Sequence, residues 1–247
     1  MQPAQADTTV KVTPVARQGW VGPETLGNPP VTYSFTGPPD ADGGPDSFQF
    51  GPIAAPNASK IELQPPEVNF PITDFDQLSY DFQVVTPTTG GTVATSAKQF
   101  YANVYVDLAS NGLGVFSNGF YDCRYSYVPT TGVAGWNTFT VLPGATPTSK
   151  GGQALCASTI GANAGNILVF RLNGGDTSAS DNGLVGAYDL VNVNTTTYDY
   201  TNDADGDGIP DTAPPTNKDQ CKNGGWQTFN NPSFRNQGQC VSYTNHN

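Results

Sequence analysis

The stretch KQFYANVYVDL, residues 98–108, alternates between two kinds of side chain. Phe100, Ala102, Val104, Val106 and Leu108 point one way, and Tyr101, Asn103, Tyr105 and Asp107 the other. A period of two places successive side chains on opposite faces of a strand, so one face belongs to a core and the other to a wetter environment. QLSYDFQVV repeats the device, with Leu78, Tyr80, Phe82 and Val84 set against Ser79, Asp81 and Gln83. Further strand candidates are TTVKVTP (8–14), VTYSF, SFQFG (47–51), KIEL (60–63), CRYSYV (123–128), WNTFTVL (136–142), ILVFRL (167–172) and LVGAYDLVNVN (184–194). Turn residues separate them, as in TPTTGG, TTGVAG and LNGGD.

No segment carries a convincing helical period. The 28 Gly, the 21 Pro and the scarcity of Glu (Glu24, Glu62 and Glu67 alone) argue against helices and for short strands joined by turns. Strands without helical crossovers pair antiparallel. The expected fold is therefore all-β, an antiparallel two-sheet jelly-roll-like sandwich. It is expected over residues 8–200, after a short flexible start at 1–7. An acidic linker at 201–220 and a small disulfide-closed tail at 221–247 follow.

A net charge of −11 repels nucleic acid and anionic membranes, and the ten Lys and Arg form no cluster. No run of 18 apolar residues is long enough to span a bilayer. Ala4-Gln5-Ala6 before Asp7 has the small-x-small form that ends a secretory signal peptide, so the mature chain is expected to begin near Asp7. The four cysteines agree with export. Their spacing favours Cys221–Cys240, which brackets the tail, and Cys123–Cys156 within the body. No Cys-x-x-Cys pair exists and His246 is the only histidine, which argues against zinc.

The acidic stretch raises a sharper question. Asp203, Asp205, Asp207 and Asp211 fall within nine residues that contain no basic side chain. Carboxylates at positions 1, 3 and 5, a glycine (Gly208) at 6 and the carbonyl of Ile209 at 7 form a set of hard oxygen donors suited to Ca²⁺. Position 12 is Pro214 rather than Glu, which excludes an EF-hand. The stretch resembles instead the thrombospondin type 3 calcium repeat, Asp-x-Asp-x-Asp-Gly-x-x-Asp, over Asp203, Asp205, Asp207, Gly208 and Asp211. That resemblance implies calcium held by these residues in a secreted protein. Where the family has a further Asp, Pro214 stands, leaving Asp219, Asn202 or water to complete the set. A weaker echo, PDADGGPD with Asp40, Asp42 and Asp46, reads as a polar turn. Asp189 resembles the last-strand Asp that ligates a structural calcium in many jelly-roll binding modules. The tail is similar to a Cys-Lys-x-Gly-Gly-Trp…Phe-x-Asn-Gln-Gly-x-Cys-Val segment that closes many secreted bacterial proteins, matching at Cys221, Lys222, Gly224, Gly225, Trp226, Phe234, Asn236, Gln237, Gly238, Cys240 and Val241. The similarity supports secretion and the Cys221–Cys240 bond.

Nothing in the sequence assembles a catalytic site. A histidine-dependent triad has only His246, the next-to-last residue, to draw on. There is no Gly-x-Ser-x-Gly elbow and no Glu-x-Asp-x-Glu strand of the sandwich glucanases. The expectation is a non-catalytic binding module. The polar face Tyr101, Asn103, Tyr105 and Asp107, with Asp81 and Gln83 alongside and Arg124 near, mixes rings with planar hydrogen-bonding groups as sugar sites do. Trp20 and Trp136 are assigned to the core. The partner would be a glycan or cell-surface polymer. The alternatives are a self-assembling surface subunit joined through strand edges, with the 8–14 strand as donor, and a glycoside-active enzyme.

Overall fold

The computed structural model describes residues 8–14, 16–27, 30–39, 46–54, 59–108, 121–152, 154–175, 182–203, 211 and 214–245. The described elements run β1 (Thr8–Val12), β2 (Val21–Leu26), β3 (Tyr33–Ser34), β4 (Phe48–Phe50), β5 (Lys60–Gln64), β6 (Phe70–Pro71), β7 (Leu78–Thr86), α1 (Val93–Ser96), β8 (Phe100–Leu108), β9 (Cys123–Tyr127), β10 (Trp136–Val141), β11 (Ser149–Gly152), β12 (Gly165–Gly174), β13 (Val185–Val193), β14 (Thr196–Tyr200) and α2 (Gln237–Thr244).

The strands form two seven-stranded sheets, and the two-sheet sandwich stands as expected. In the first, β13 is the spine. Its residues Gly186–Tyr188 pair with β4 on one edge and β7 on the other; β10 lies outside β7, and β14 and β1 extend the sheet at the far end of β13. The second runs β11-β9-β8-β12-β5-β2, with β6 also on β12.

Two expectations need correction. Among the described residues pairing is antiparallel except for β1, which lies parallel to β14 with Thr8 opposite Thr196 and Val12 opposite Tyr200. The first and last strands of the domain are not joined by a hairpin, so no turn forces them to run in opposite directions. The TTVKVTP segment thus adds to the chain's own sheet, as its edge. The tail also contains a helix where none was expected. Asn236 caps α2 by accepting from the Gln239 amide at 3.0 Å, and Cys240 anchors it. A cap and a disulfide hold this helix without an apolar stripe, so hydrophobic periodicity could not reveal it. Both disulfides pair as expected, Cys123 with Cys156 and Cys221 with Cys240.

The core lies between the sheets and is unusually aromatic. Tyr80, Tyr188, Phe50, Phe82 and Phe100 are all fully buried or nearly so, and each lies against another ring of the set, as in Phe82–Phe100 with centroids 4.9 Å apart and Phe100–Tyr188 at 5.4 Å. Buried phenols need partners. Tyr80 Oη donates to the Phe100 carbonyl at 2.9 Å, and Tyr188 Oη to the Asn173 carbonyl, so both bonds cross from the first sheet to the second. Two glycines make room for the rings. A Cβ on Gly174 of β12 would run into the Phe50 ring, and one on Gly186 of β13 into the rings of Phe100 and Phe50. Gly186→Ala is therefore expected to lower stability by about 1–3 kcal/mol through overpacking, read as a fall in the urea midpoint with an unchanged slope.

Candidate binding surfaces and acidic loop

The polar side of β8 faces away from the inter-sheet core, and its four residues do share that face. Arg124 lies directly across from Tyr105 on β9, and Arg171 across from Asn103 on β12. Asp81 and Gln83 do not join them, because β7 belongs to the other sheet. Tyr101 and Asp107 are half-buried, whereas Asn103 and Tyr105 are buried, although strand alternation made them the wetter side. The cause is a cover of long polar side chains on a central strand. Asn103 accepts from Ser126 Oγ at 2.7 Å. The Arg171 guanidinium lies over the Tyr105 ring, 5.6 Å from its centroid, and donates through Nη1 to Glu62 at 2.8 Å. Glu62 also takes Lys60, which reaches on to Asn173 at 3.0 Å. This network is closed upon itself over its centre, and what it offers outward is Tyr101 at one end and Asp107 at the other.

Asp107 is held above the usual carboxyl range, first by burial and then by its hydrogen bond to Asp122 and the charge of that neighbour. Asp122 is fully buried and accepts from the Leu108 amide at 2.9 Å. The two carboxyls bond to each other and so are not the opposed pair, separated by a substrate, that glycoside hydrolysis requires.

A second surface escaped the sequence reading. An open depression of about 440 Å³ is lined by Trp136, Phe139, Thr130, Thr131, Val133 and Thr138, among others. Trp136 is half-buried rather than core, unlike Trp20, which packs edge-on against Tyr198 and Tyr200. Its indole is fixed by a 2.8 Å bond from Nε1 to the Pro39 carbonyl. Asn137 locks the adjoining turn: its amide donates to the Val133 and Gly135 carbonyls while its Oδ1 accepts from the Val133 amide at 2.8 Å. The available signal was a glycine-rich turn, TTGVAG, running straight into a Trp at the start of an edge strand.

Of the expected calcium ligands, Asp203 and Asp211 are described, while Asp205, Asp207 and Ile209 lie outside the described residues. Asp203 is buried, and its amide donates to Thr201 Oγ1 at 2.9 Å. Asp211 returns the chain beside Asn202, which donates to its carbonyl at 2.9 Å and accepts from its amide. Asn231 Nδ2 of the tail donates to Asp211 Oδ2 at 3.0 Å. Asp219 is exposed and paired with Lys222 at 2.6 Å. Asp189 is fully buried, and its Oδ1 accepts from the Tyr200 amide at 3.1 Å where the ladder between β13 and β14 ends. Asp40 and Asp42 lie outside the described residues; Asp46 is buried, and its Oδ2 has no hydrogen-bond partner. Among the described residues no three His, Cys, Asp or Glu side chains converge on one point.

No family model and no curated protein matches the sequence. Among solved structures the chain is similar to the arabinose-bound MgGH51 α-L-arabinofuranosidase, at 13% identity and a TM-score of 0.40. The match covers 78% of this chain but only 25% of that one. A likeness of that order carries no argument about function.

Three carboxyls with described surroundings, Glu67, Asp81 and Asp107, are pushed up, burial being the first cause in each. A group that binds its proton more tightly folded than unfolded stabilises the fold fully below its unfolded value and loses that contribution as pH rises through the folded one. With calcium chelated, Tm should therefore rise as the pH is lowered from 8 towards about 5. Glu67→Gln should flatten the profile. A Tm that falls over that range would contradict the assignment.

Proposed function

We propose that this chain is a non-catalytic, calcium-stabilised binding module working outside the cell, and that its ligand is a glycan held at the Trp136 depression. The depression carries the reading. An indole fixed by its own hydrogen bond, beside a turn locked by Asn137, presents a flat apolar face that loses little freedom on binding. Thr130, Thr131 and Thr138 supply hydroxyls around it. Sugar rings offer C–H faces to such a ring and hydroxyls to such a rim. Two disulfides agree with an oxidising compartment. The half-buried Tyr101 and Asp107, flanking the network on the second sheet, are the alternative place for the ligand.

The test is retention on immobilised polysaccharides and a glycan array, followed by titration of any hit. Trp136→Ala should weaken binding at least tenfold while Tyr101→Ala leaves it unchanged. The reverse order would move the site to the second sheet, and retention of no glycan by the wild-type chain would sink the carbohydrate reading. The calcium limb is tested separately. In calcium at 100-fold excess over Kd, linkage gives about 2.7 kcal/mol of added stability relative to EDTA, and Asp203→Ala should remove most of that gain.

A further inference from the structure

Asp46 and Asp203, far apart in sequence, lie where β14 leaves the edge of β13 and β4 takes its place on that same edge. The Phe48 ring lies 5.5 Å from that of Tyr200, and Phe35 packs against both. Phe48 opens β4 and Tyr200 closes β14. Asp46 stands two residues before the first and Asp203 three residues after the second, so the aromatic contact brings both residues to that junction. Neither is a surface acid: Asp46 is 5% exposed and Asp203 3%. Asp46 Oδ2 is cut off from water and has no hydrogen-bond partner.

Such an arrangement is costly as it stands. Burial of a carboxylate in apolar surroundings without a partner is strongly unfavourable, and a second negative charge nearby makes it worse. The Asp203 charge adds to burial in pushing Asp46 up. Lys11 Nζ donates to the backbone carbonyl of Asp203 at 2.8 Å, and the Arg17 guanidinium lies over the Phe35 ring. Asn202 and Asp211 are bonded to each other, and Pro214 stands where a further carboxylate would complete the expected donor set. Asp219 does not supply it, being exposed and paired with Lys222.

We propose that Asp46 supplies the carboxylate that Pro214 withholds, so that one divalent cation, calcium by its oxygen donors, is shared between Asp46 and Asp203 and ties the two acidic stretches together. The inference rests on the calcium reading of the 203–211 segment and extends it to a ligand from a distant loop. A hard cation at that place satisfies the orphaned Oδ2 and converts the like-charge repulsion into attraction.

Calorimetric titration with CaCl₂ and thermal melts in CaCl₂ and in EDTA, on the full chain, decide it. Asp46→Asn keeps the shape and removes the charge. It should weaken calcium binding at least tenfold, whereas Asp219→Asn, an exposed control carrying the same charge change, should leave it unaltered. The melts should change order. In EDTA, Asp46→Asn melts at or above the wild-type temperature because a repulsion is gone; in calcium it melts below. A carboxylate with a merely structural role would lower both melts together, and that result overturns the proposal. Unchanged calcium affinity in Asp46→Asn, with binding intact in the wild type, overturns the shared centre and leaves the 203–211 reading standing. Absence of calcium binding by the wild-type chain overturns both.

Discussion

The rings of Phe50, Phe100 and Tyr188 pack against the bare backbone of Gly174 and Gly186, and the separation of the two sheets follows from that contact. Large side chains on both inner faces would hold the sheets apart unless some positions gave up their Cβ. With the glycines in place, Tyr80 and Tyr188 can reach backbone carbonyls across the interface, at Phe100 and Asn173. Packing and polar satisfaction are thus one solution. The same register sets the outer face of the second sheet. Asn173, whose carbonyl takes the Tyr188 phenol, has its side chain on the other side, in the Lys60–Glu62–Arg171 network.

That arrangement explains which parts of the fold could be read in the sequence. β7 shows the plain alternation of a strand with one buried face, and its residues sit as the pattern says. In β8 the alternation gives the strand and both faces but not their wetness, because Ser126 and Arg171 on flanking strands cover Asn103 and Tyr105. Cover of that kind depends on neighbours from elsewhere in the chain and leaves no local mark. β2, with Gly22 and Pro23 inside it, breaks the usual rules of strand composition and survives as an edge strand. Helix α2 was hidden for a related reason: its stability resides in an Asn cap and a cysteine rather than in an apolar stripe.

The surfaces proposed for function divide in the same way. The acidic pattern at 203–211 is legible because the donor spacing lies within nine residues. The position of Asp46 beside it is not, since PDADGGPD taken alone reads as a turn, and only the packing of Phe48 on Tyr200 connects the two. Trp136 looked like a core residue because tryptophan usually is one. Its place on β10, which pairs with β7 alone, leaves one side of the indole to the depression.

The junction of β14 and β4 is also where the domain closes. β1 joins the sheet beside β14, the Thr201 amide donates to the Val12 carbonyl at 3.1 Å, and Lys11 reaches the Asp203 carbonyl. The first strand, the last strand and the start of the acidic segment therefore share backbone bonds. An edge strand tied only by its ladder is among the first elements to open, since opening it exposes few apolar contacts. A cation bound between Asp46 and Asp203 would hold the β4 entry against the β14 exit, and through Thr201 and Lys11 it would hold β1 as well. Its binding energy would then oppose the opening of the sheet edge directly, and would not be confined to a linker. In a chain with 21 acidic and ten basic residues, neutralising charge at the point of closure is the most economical place for a metal to act.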